Sequence, residues 1–145
     1  MKNMKKTKMK VLLDEGAVMP VRAHTDDAGL DLFSREDITI PPGGAGVFDT
    51  GVHIALPADT VGLIMSKSGL NVICGLVCPV GVADEGYTGS VKVKLYNHSK
   101  VTHRIKKGQK ISQLLVVPIY KPELELATSL VPTERGDNGF GSTGK

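Results

Sequence analysis

The sequence predicts an all-β fold, a jelly-roll-like barrel or sandwich that ends in a flexible, glycine-rich C-terminal arm. Short stretches alternate apolar and polar residues, and turn residues separate these stretches at intervals of about ten residues. The chain has 17 glycines and 8 prolines among its 145 residues, which suits many tight turns. Only 4% of the residues are aromatic and none is tryptophan, so valine, isoleucine and leucine must build most of the core.

The clearest strand pattern runs from Val47 to Leu56, where alternate positions are apolar and Gly51 interrupts the run. The same alternation over Val91–Tyr96 gives one apolar face and one face that carries lysines. Both segments are therefore predicted to be strands that bury one side.

Two further segments, Val61–Met65 and Ile111–Val117, are short and nearly continuous apolar runs, which predict buried strands. The best helical candidate is the short segment Ser68–Asn71 with its flanks. We expect residues 1–8 to be a disordered basic extension, residues 9–132 to form one β-domain, and residues 133–145 to form the arm.

The charge distribution argues against a nucleic-acid-binding surface. Five lysines lie within the first ten residues, so the rest of the chain carries a net charge of −2 although the whole is +3. The N-terminal segment lacks the apolar core of a signal peptide, and no stretch is long enough to span a membrane. We expect a cytoplasmic protein with no membrane contact and no stable nucleic-acid partner.

The two cysteines, Cys74 and Cys78, are predicted to be buried free thiols. Their spacing does not suit a disulfide within one strand, and no second cysteine pair or histidine cluster completes a zinc site. The four histidines are scattered and show no metal-binding spacing.

Five local clusters depart from the plain β pattern. They are AGLDL at Ala28–Leu32, SKSGL at Ser66–Leu70, GVADEGYTG at Gly81–Gly89, GQKISQL at Gly108–Leu114 and RGDNGFGSTGK at Arg135–Lys145. The second combines hydroxyls, a cation and glycine, a composition suited to holding phosphate at a helix start. The third predicts a hairpin that presents Asp84 and Tyr87 near its tip. Each cluster alone is weak evidence, because an aspartate in a turn more often caps its own backbone than catalyses.

The C-terminal cluster has the composition of a segment that wraps a phosphorylated ligand. Its glycines let backbone N–H groups approach closely, Ser142 and Thr143 can donate hydrogen bonds, Arg135 offers a planar fork for phosphate, and Phe140 offers a stacking face. The alternative is a frayed terminus, which is the commoner fate of glycine-rich C-terminal segments.

Together, in this order and spacing, the five clusters resemble those of the trimeric deoxyuridine triphosphate pyrophosphatases (dUTPases). The resemblance runs from about Met9 to Lys145 and is most specific in GVADEGYTG and RGDNGFGSTG. It implies hydrolysis of dUTP to dUMP and pyrophosphate with Mg²⁺, which limits uracil incorporation into DNA and supplies dUMP for dTMP synthesis. It also implies a homotrimer with shared active sites, in which the arm of one chain closes over a site built by two others.

The resemblance also implies roles for individual residues. Asp84 is the expected general base, and Tyr87 is expected beneath the deoxyribose, where it leaves no room for a 2′-hydroxyl. Asp31 is expected near the magnesium, through a metal-bound water. The implied substrate-binding residues are Lys67, Ser68, Gly69, Gly81, Val82, Ala83, Tyr87, Lys92, Gln113, Arg135, Phe140, Gly141, Ser142 and Thr143.

Within this set, three groups of contacts are implied. The backbone of Gly81–Tyr87 hydrogen-bonds uracil, and Phe140 stacks on it. Lys67–Gly69 and Gln113 hold the phosphates. Arg135 closes on the β- and γ-phosphates together with the two hydroxyl residues of the arm.

The sequence departs from the family pattern at several positions. Lys67 stands where arginine is usual, so phosphate meets a point charge rather than a bidentate fork. Gly86 replaces a second acid, which leaves Asp84 as the main candidate base beside Glu85.

Three alternatives remain open from the sequence. A deaminase of dCTP has a related trimeric fold, and a non-catalytic nucleotide-sensing trimer is possible because function does not follow from fold. A nucleic-acid-binding β-domain rests only on the N-terminal lysines.

Overall fold

The computed structural model describes residues 7–141 and residue 144, and these residues form eleven β-strands and one short helical turn. The strands are β1 Lys10–Leu13, β2 Leu30–Phe33, β3 Ile38–Ile40, β4 Ala45–Asp49, β5 Val52–Ala55, β6 Thr60–Met65, β7 Leu76–Val77, β8 Gly81–Ala83, β9 Lys92–Asn97, β10 His103–Ile105 and β11 Lys110–Pro118. The predicted all-β, jelly-roll-like class is confirmed.

Every pairing between the described strands is antiparallel. One sheet has the order β2-β11-β6-β8 and another the order β4-β9-β7, while β1 pairs with β5 and β3 with β10. Neighbours in each sheet are mostly distant in sequence, so the chain crosses between sheets repeatedly. Such crossings enclose a single core between sheet faces.

The core follows the predicted two-residue period across β4 and β5. Phe48, Thr50, Val52, Ile54 and Leu56 are all buried. The buried alternate positions continue from β4 into β5. The polar Thr50 can be buried between these strands because its hydroxyl donates to the carbonyl of Val91 at 2.6 Å. The residue after it, Gly51, has φ of 65°, a backbone conformation that favours glycine.

The two continuous apolar runs form strands as predicted, but they are not buried on both faces. In β6 only Gly62 and Ile64 are buried, while Val61, Leu63 and Met65 are half-buried. The second face of this sheet is covered only in part by described residues of the same chain, so the prediction of full burial was wrong for a single protomer.

The predicted short helix is a single π-helical turn, Gly69–Ile73, and none of its residues is buried. Its flanking hydrogen bonds run from the N–H of Asn71 to the carbonyl of Lys67 and from the N–H of Gly75 to the carbonyl of Asn71. The turn therefore fixes the backbone around Lys67 without contributing to the core.

The segment Gly81–Gly89 is not the β-hairpin that the sequence predicts. Strand β8 pairs with β6, whereas β9 pairs with β4 and β7, so this segment joins two different sheets. Packing explains the choice of partner, because Gly62 of β6 has no side chain and leaves room for the methyl group of Ala83. The expected tight turn is present, and the N–H of Tyr87 donates to the carbonyl of Asp84 at 2.9 Å.

Both cysteines are free thiols as predicted, although only Cys78 is buried and Cys74 is half-buried. Burial raises the pKa of the Cys78 thiol despite a contact from the Ser112 hydroxyl. This thiol therefore behaves as a small apolar core group.

The described chain after β11, residues 119–141, contains neither strand nor helix. Its apolar side chains lie in solvent, with Tyr120 98% and Leu126 99% exposed. The boundary expected between residues 132 and 133 stays a prediction. Within the part of the chain that the structure describes, no helix is long and apolar enough to cross a membrane.

Asn97 is a buried amide that joins β9 to its neighbours, and it gives a test of the fold. Its Nδ2 donates to the carbonyls of Ile40 and Val101 at 3.0 and 2.8 Å, and its Oδ1 accepts from the N–H of Ser99. We expect Asn97→Ala to lower the free energy of unfolding by about 1–3 kcal/mol, because the buried Ile40 carbonyl loses this donor and the link to the Val101 carbonyl is also lost. Denaturant unfolding measures this, with the exposed Asn138→Ala as control; equal losses in both variants would contradict it.

Candidate functional site

A cleft of about 650 Å³ opens beside the ends of β2, β6 and β11, and we call it the lysine cleft. The polar side chains that line it are Asp27, Asp31, Ser66, Lys67, Ser68, Asn71, Lys110 and Gln113. Four of the predicted site residues, Asp31, Lys67, Ser68 and Gln113, are therefore brought together. The predicted Gly69 starts the π-helical turn at its rim.

Asp31 is 4% exposed and lies between two lysines. Lys67 Nζ hydrogen-bonds to Oδ1, and Lys110 Nζ lies 2.8 Å from Oδ2. The second contact is an ion pair without hydrogen-bond alignment, since Oδ2 has no hydrogen-bond partner among the described residues. Burial raises the pKa of Asp31, but the contacts from Lys110 and Lys67 outweigh it and hold the pKa below its ordinary value. The carboxylate is therefore charged, and the three groups together carry a net positive charge.

Gln113 is fixed in one orientation on the floor of the lysine cleft. Its Nε2 donates to the carbonyl of Ser66 at 2.8 Å. A Cβ atom on Gly29 would lie 2.2 Å from Gln113 Oε1, so a glycine at this position makes room for the amide. The amide oxygen is thus placed by packing rather than left to rotate.

A second cleft, of about 210 Å³, lies on the other side of β6, and we call it the tyrosine cleft. It is lined by Ile64, Gly81, Val82, Ala83, Tyr87, Val91 and Lys92. Five predicted site residues meet here, namely Gly81, Val82, Ala83, Tyr87 and Lys92.

Strand β8 is the edge of its sheet, so one side of its backbone is unpaired with any described strand. An edge strand presents N–H and C=O groups in a fixed order. The backbone of Gly81–Ala83 can therefore offer hydrogen bonds to a planar ligand in the tyrosine cleft.

The ring of Tyr87 is held in place at the mouth of this cleft. Its hydroxyl donates to the carbonyl of Ser90 at 3.0 Å, and the side chain is partly exposed. A Cβ atom on Gly89 would lie 2.5 Å from the tyrosine oxygen, so the ring packs directly over this glycine. The YTG sequence therefore gives the tyrosine a rigid support.

Two neighbouring carboxylates in the turn have different surroundings. Glu85 contacts Lys121 and accepts from the N–H of Asp59, and the contact with Lys121 is the main cause that lowers its pKa. Asp84 is exposed and has no side-chain hydrogen bond or ion pair with any residue of the described chain. Asp84 is thus the carboxylate of this turn that is available to a ligand.

The described part of the arm lies on neither cleft. Phe140 is fully exposed, and Arg135 Nε donates to the carbonyl of Asn138 within the arm itself. Gly141 has φ of 93°. The predicted residues Ser142 and Thr143 lie outside the described residues.

Most predicted site residues therefore fall into three groups within one protomer, while Asp84 lies in the turn after β8 and lines neither cleft. The lysine cleft and the tyrosine cleft share no lining residue, although both touch β6, through Met65 and Ile64 respectively. One described chain does not bring the two clefts and the arm together.

Comparison with known proteins agrees with this geometry. The dUTPase family model matches residues 15–144. The chain belongs to the dUTPase family. It is 43% identical over 141 residues to the deoxyuridine 5′-triphosphate nucleotidohydrolase of Gloeothece citriformis, covering 94% of this chain and 97% of that protein. It is 42% identical over 135 residues to the enzyme of the same name from Clostridioides difficile, covering 91% and 94%.

Solved dUTPases share the fold. The dUTPase of Staphylococcus bacteriophage 80alpha, solved with dUpNHpp, has a TM-score of 0.90 and 32% identity, and covers 95% of this chain and 99% of that one. A mutant dUTPase from phage phi11 of S. aureus, described for its coordination of a structural Mg(II) ion, has a TM-score of 0.80 and 32% identity over 85% of this chain and 98% of that one.

Lys110 is a site residue that the sequence did not identify. The signal was Asp31 itself, a charged residue inside the apolar strand LDL, because a buried carboxylate needs cationic partners. Finding the second partner required knowing that β11 pairs with β2, with a bulge between Lys110 and Ser112.

The side chains that line the lysine cleft could hold magnesium only if a ligand supplied most of its coordinating oxygens. Among the residues that the structure describes, no group of three or more His, Cys, Asp or Glu side chains could hold a metal. Magnesium at phosphate sites commonly uses one or two carboxylates together with phosphate oxygens and water. Asp31 and Asp27 are the two carboxylates that line the cleft, and they fit that pattern; the two lysines paired with Asp31 make water-mediated contact its compatible form.

The double ion pair of Asp31 predicts a pH-dependent contribution to stability. The lowered pKa of Asp31 means that its contribution is fully present above the ordinary value of 3.8 and is lost as the pH falls through the lowered pKa. We expect Asp31→Asn to cost about 1.5–3 kcal/mol of unfolding free energy at neutral pH, and less as the pH falls below 3.8.

Thermal unfolding across pH measures this difference. Asp37→Asn is the matched control, because Asp37 pairs with Arg104 at 3.0 Å on the exposed surface, where an ion pair contributes little. A loss for Asp31→Asn that stays constant down to the acid limit would contradict the assignment.

Proposed function

We propose that this chain is a dUTP diphosphatase that hydrolyses dUTP to dUMP and pyrophosphate in a homotrimer with shared active sites. The observation that carries the proposal is the pair of clefts that flank β6. One offers positive charge and a fixed amide, and the other offers an unpaired backbone edge under a tyrosine. These are the two halves of a site for a nucleoside triphosphate.

The lysine cleft would take the phosphates. Lys67 supplies charge, Ser68 and Gly69 supply a hydroxyl and a backbone N–H at the start of the π-helical turn, and Gln113 supplies its fixed amide. Such preorganised donors stabilise phosphate groups, because the donors need not reorganise during the reaction. The ammonium groups of Lys67 and Lys110 are the cationic groups that an anionic ligand would contact in this cleft.

The tyrosine cleft would take the nucleoside. The unpaired edge of Gly81–Ala83 suits the alternating donors and acceptors of uracil, with Val82 and Lys92 at its sides. Tyr87 would lie under the deoxyribose, where the ring, backed by Gly89, resists a 2′-hydroxyl.

Asp84 would act as the general base. It would take a proton from water as the water oxygen forms a bond to the α-phosphorus and the bond from that phosphorus to the bridging oxygen breaks. Pyrophosphate leaves with the electron pair. A positioned carboxylate contributes about 10²–10⁴-fold to such a step. Glu85 and Asp31 are poorer candidates because both are paired with lysines.

Mg²⁺ bound to the triphosphate would neutralise phosphate charge, and Asp31 would hold it through water. The arm would complete the site, with Phe140 stacked on the base, Gly141 close to the ligand, and Arg135, Ser142 and Thr143 on the phosphates. A cytoplasmic location stays a prediction.

Measurement of pyrophosphate release from a panel of dNTPs and UTP, with and without Mg²⁺, tests the proposal directly. We expect pyrophosphate from dUTP in preference to the others. Release of ammonia from dCTP would instead identify a deaminase, and no turnover of any nucleotide would favour a sensing role.

The role of Asp84 is tested by Asp84→Asn, which keeps the size of the side chain but cannot accept the proton. We expect turnover to fall by about 10²-fold or more while dUTP binding stays largely intact. Glu85→Gln is the matched control, since it changes the adjacent carboxylate, which pairs with Lys121. Similar losses of turnover in both variants would argue against Asp84 as the base.

Shared sites are tested by mixing two inactive chains. Asp84→Asn lacks the base but retains the arm, and a chain truncated before Glu134 retains the base but lacks the arm. If the arm of one subunit closes over the base of another, co-expressed mixtures should regain part of the lost activity. Light scattering of each variant checks that trimers form, and a monomer of about 15.4 kDa would overturn the assembly. Mixed trimers that remain inactive would contradict the shared site.

A further inference from the structure

His53 on β5 lies between two hydrogen-bond acceptors behind the turn that carries Tyr87. Its Nδ1 is 2.8 Å from the carbonyl oxygen of Thr88, and its Nε2 is 3.1 Å from Oδ1 of Asp14. Neither a carbonyl nor an ionised carboxylate can donate a hydrogen bond. Both ring nitrogens must therefore carry protons for the two contacts to exist together, so the double contact belongs to the imidazolium form.

The surroundings favour this charged form. The contact with the Thr88 carbonyl is the largest cause that raises the pKa of His53; burial opposes it, and Asp14 and Asp49 add to the rise. A neutral ring has one N–H and keeps only one of the two contacts. The double contact is therefore complete below the ordinary value of 6.5 and is lost as the pH rises through the raised pKa.

The same charged network also supports the tyrosine from its other side. Arg35 lies 3.5 Å from Asp14 and 3.3 Å from Asp49. Asp49 accepts a hydrogen bond from the hydroxyl of Ser90, whose carbonyl in turn accepts from the hydroxyl of Tyr87.

Packing and a further ion pair hold Arg35 and Asp49 in place. Arg35 packs over Gly51, where an added Cβ would lie 2.7 Å from its guanidinium. Asp49 also pairs with Lys92 at 2.9 Å, and Lys92 lines the tyrosine cleft. The segment Tyr87–Ser90 is thus held at Thr88 by the histidine and at Ser90 by the aspartate.

We propose that His53 is a positioning residue for sugar selection: as an imidazolium it ties Thr88 to Asp14 and so holds the Tyr87 ring where it excludes a ribonucleotide. The inference rests on the proposed function, since it concerns the same site. It assigns pH-dependent discrimination between dUTP and UTP to a residue that touches neither nucleotide.

Within the described chain, the other charged side chains around His53 are few. Lys10 of β1 lines the open cleft beside His53, and Thr88 lines the same cleft. Leu12 of β1 pairs with His53 in the sheet. Asp14, Arg35 and Asp49 complete the set. Histidine is the side chain whose ordinary pKa lies near neutral pH.

The experiment measures the ratio of kcat/KM for dUTP to kcat/KM for UTP from about pH 5.5 to about pH 8.5. In this ratio, effects of Asp84 and of the phosphates on kcat/KM cancel, because they are the same for both substrates. We expect the ratio of the unmodified protein to fall by about two- to tenfold as the pH rises, the effect of losing one hydrogen bond to a charged group at a partly exposed site.

Two variants separate the charge from the contact. His53→Asn places an amide N–H near the position of Nδ1, so it can donate to Thr88 at every pH but lacks the link to Asp14; its ratio should be flat and close to that of the unmodified protein at high pH. His53→Leu has no donor, so its ratio should be low and flat. Arg104→Gln, which breaks an exposed ion pair outside both clefts, should keep the pH dependence of the unmodified protein. A pH dependence that persists in both His53 variants overturns the inference.

A second measurement does not depend on turnover. In NMR titrations, the amide signals of Tyr87, Thr88 and Gly89 should move with the same midpoint as the ring nitrogens of His53, and this movement should be absent in His53→Asn. Separate midpoints overturn the inference. If the unmodified protein turns over no dUTP at all, the proposed function fails, and the shared midpoint still tests the contact.

Discussion

Strand β11 pairs with β2 on one side and with β6 on the other, and this register sets the geometry of the lysine cleft. Gln113 stands opposite Asp31 in β2 and opposite Met65 in β6. One row across three strands therefore places Asp31, Gln113 and Met65 side by side, and the segment Ser66–Gly69 follows directly after Met65. A slip of one residue would turn alternate side chains to opposite faces of the sheet. Such a slip is costly, since it would also expose the fully buried Leu114, so the same packing that forms the core holds the polar row in register.

The charge of this row is balanced rather than simply positive. Asp31 is buried, and a buried carboxylate is stable only when paired. Lys67 and Lys110 supply that pairing, and in return the carboxylate keeps two ammonium groups close together that would otherwise repel each other. A lysine suits this arrangement as a compact point charge, which gives a physical context for Lys67 at a position where the family usually has arginine. Both ammonium groups are thus paired with the carboxylate and also lie where a polyanion could contact them.

Much of the fold and the site could be predicted from the sequence, and the failures share a cause. Alternation correctly placed β5 and β9. The clusters around Asp31, Lys67 and Tyr87 line clefts, and their roles toward a ligand stay predictions. Local pattern could not reveal which strands pair, so Gly81–Gly89 was predicted as a hairpin although β8 pairs with β6. It also could not reveal contacts between residues far apart in sequence. Lys110 with Asp31 and His53 with Thr88 are such pairs, and neither follows from spacing along the chain.

The described chain after β11 leads into the arm and is largely exposed. Its apolar side chains, such as Tyr120 and Leu126, are almost fully exposed, and such exposure is costly in water. Phe140 has φ of 50°, a left-handed conformation that costs a non-glycine residue about 1–2 kcal/mol. No contact with either cleft offsets these costs within the described chain. In the proposed trimer, a second subunit with nucleotide in its clefts would supply both apolar area and phosphate to the arm. Assembly and substrate binding would then contribute to the same closure, which couples catalysis to the oligomer rather than to the fold of one chain.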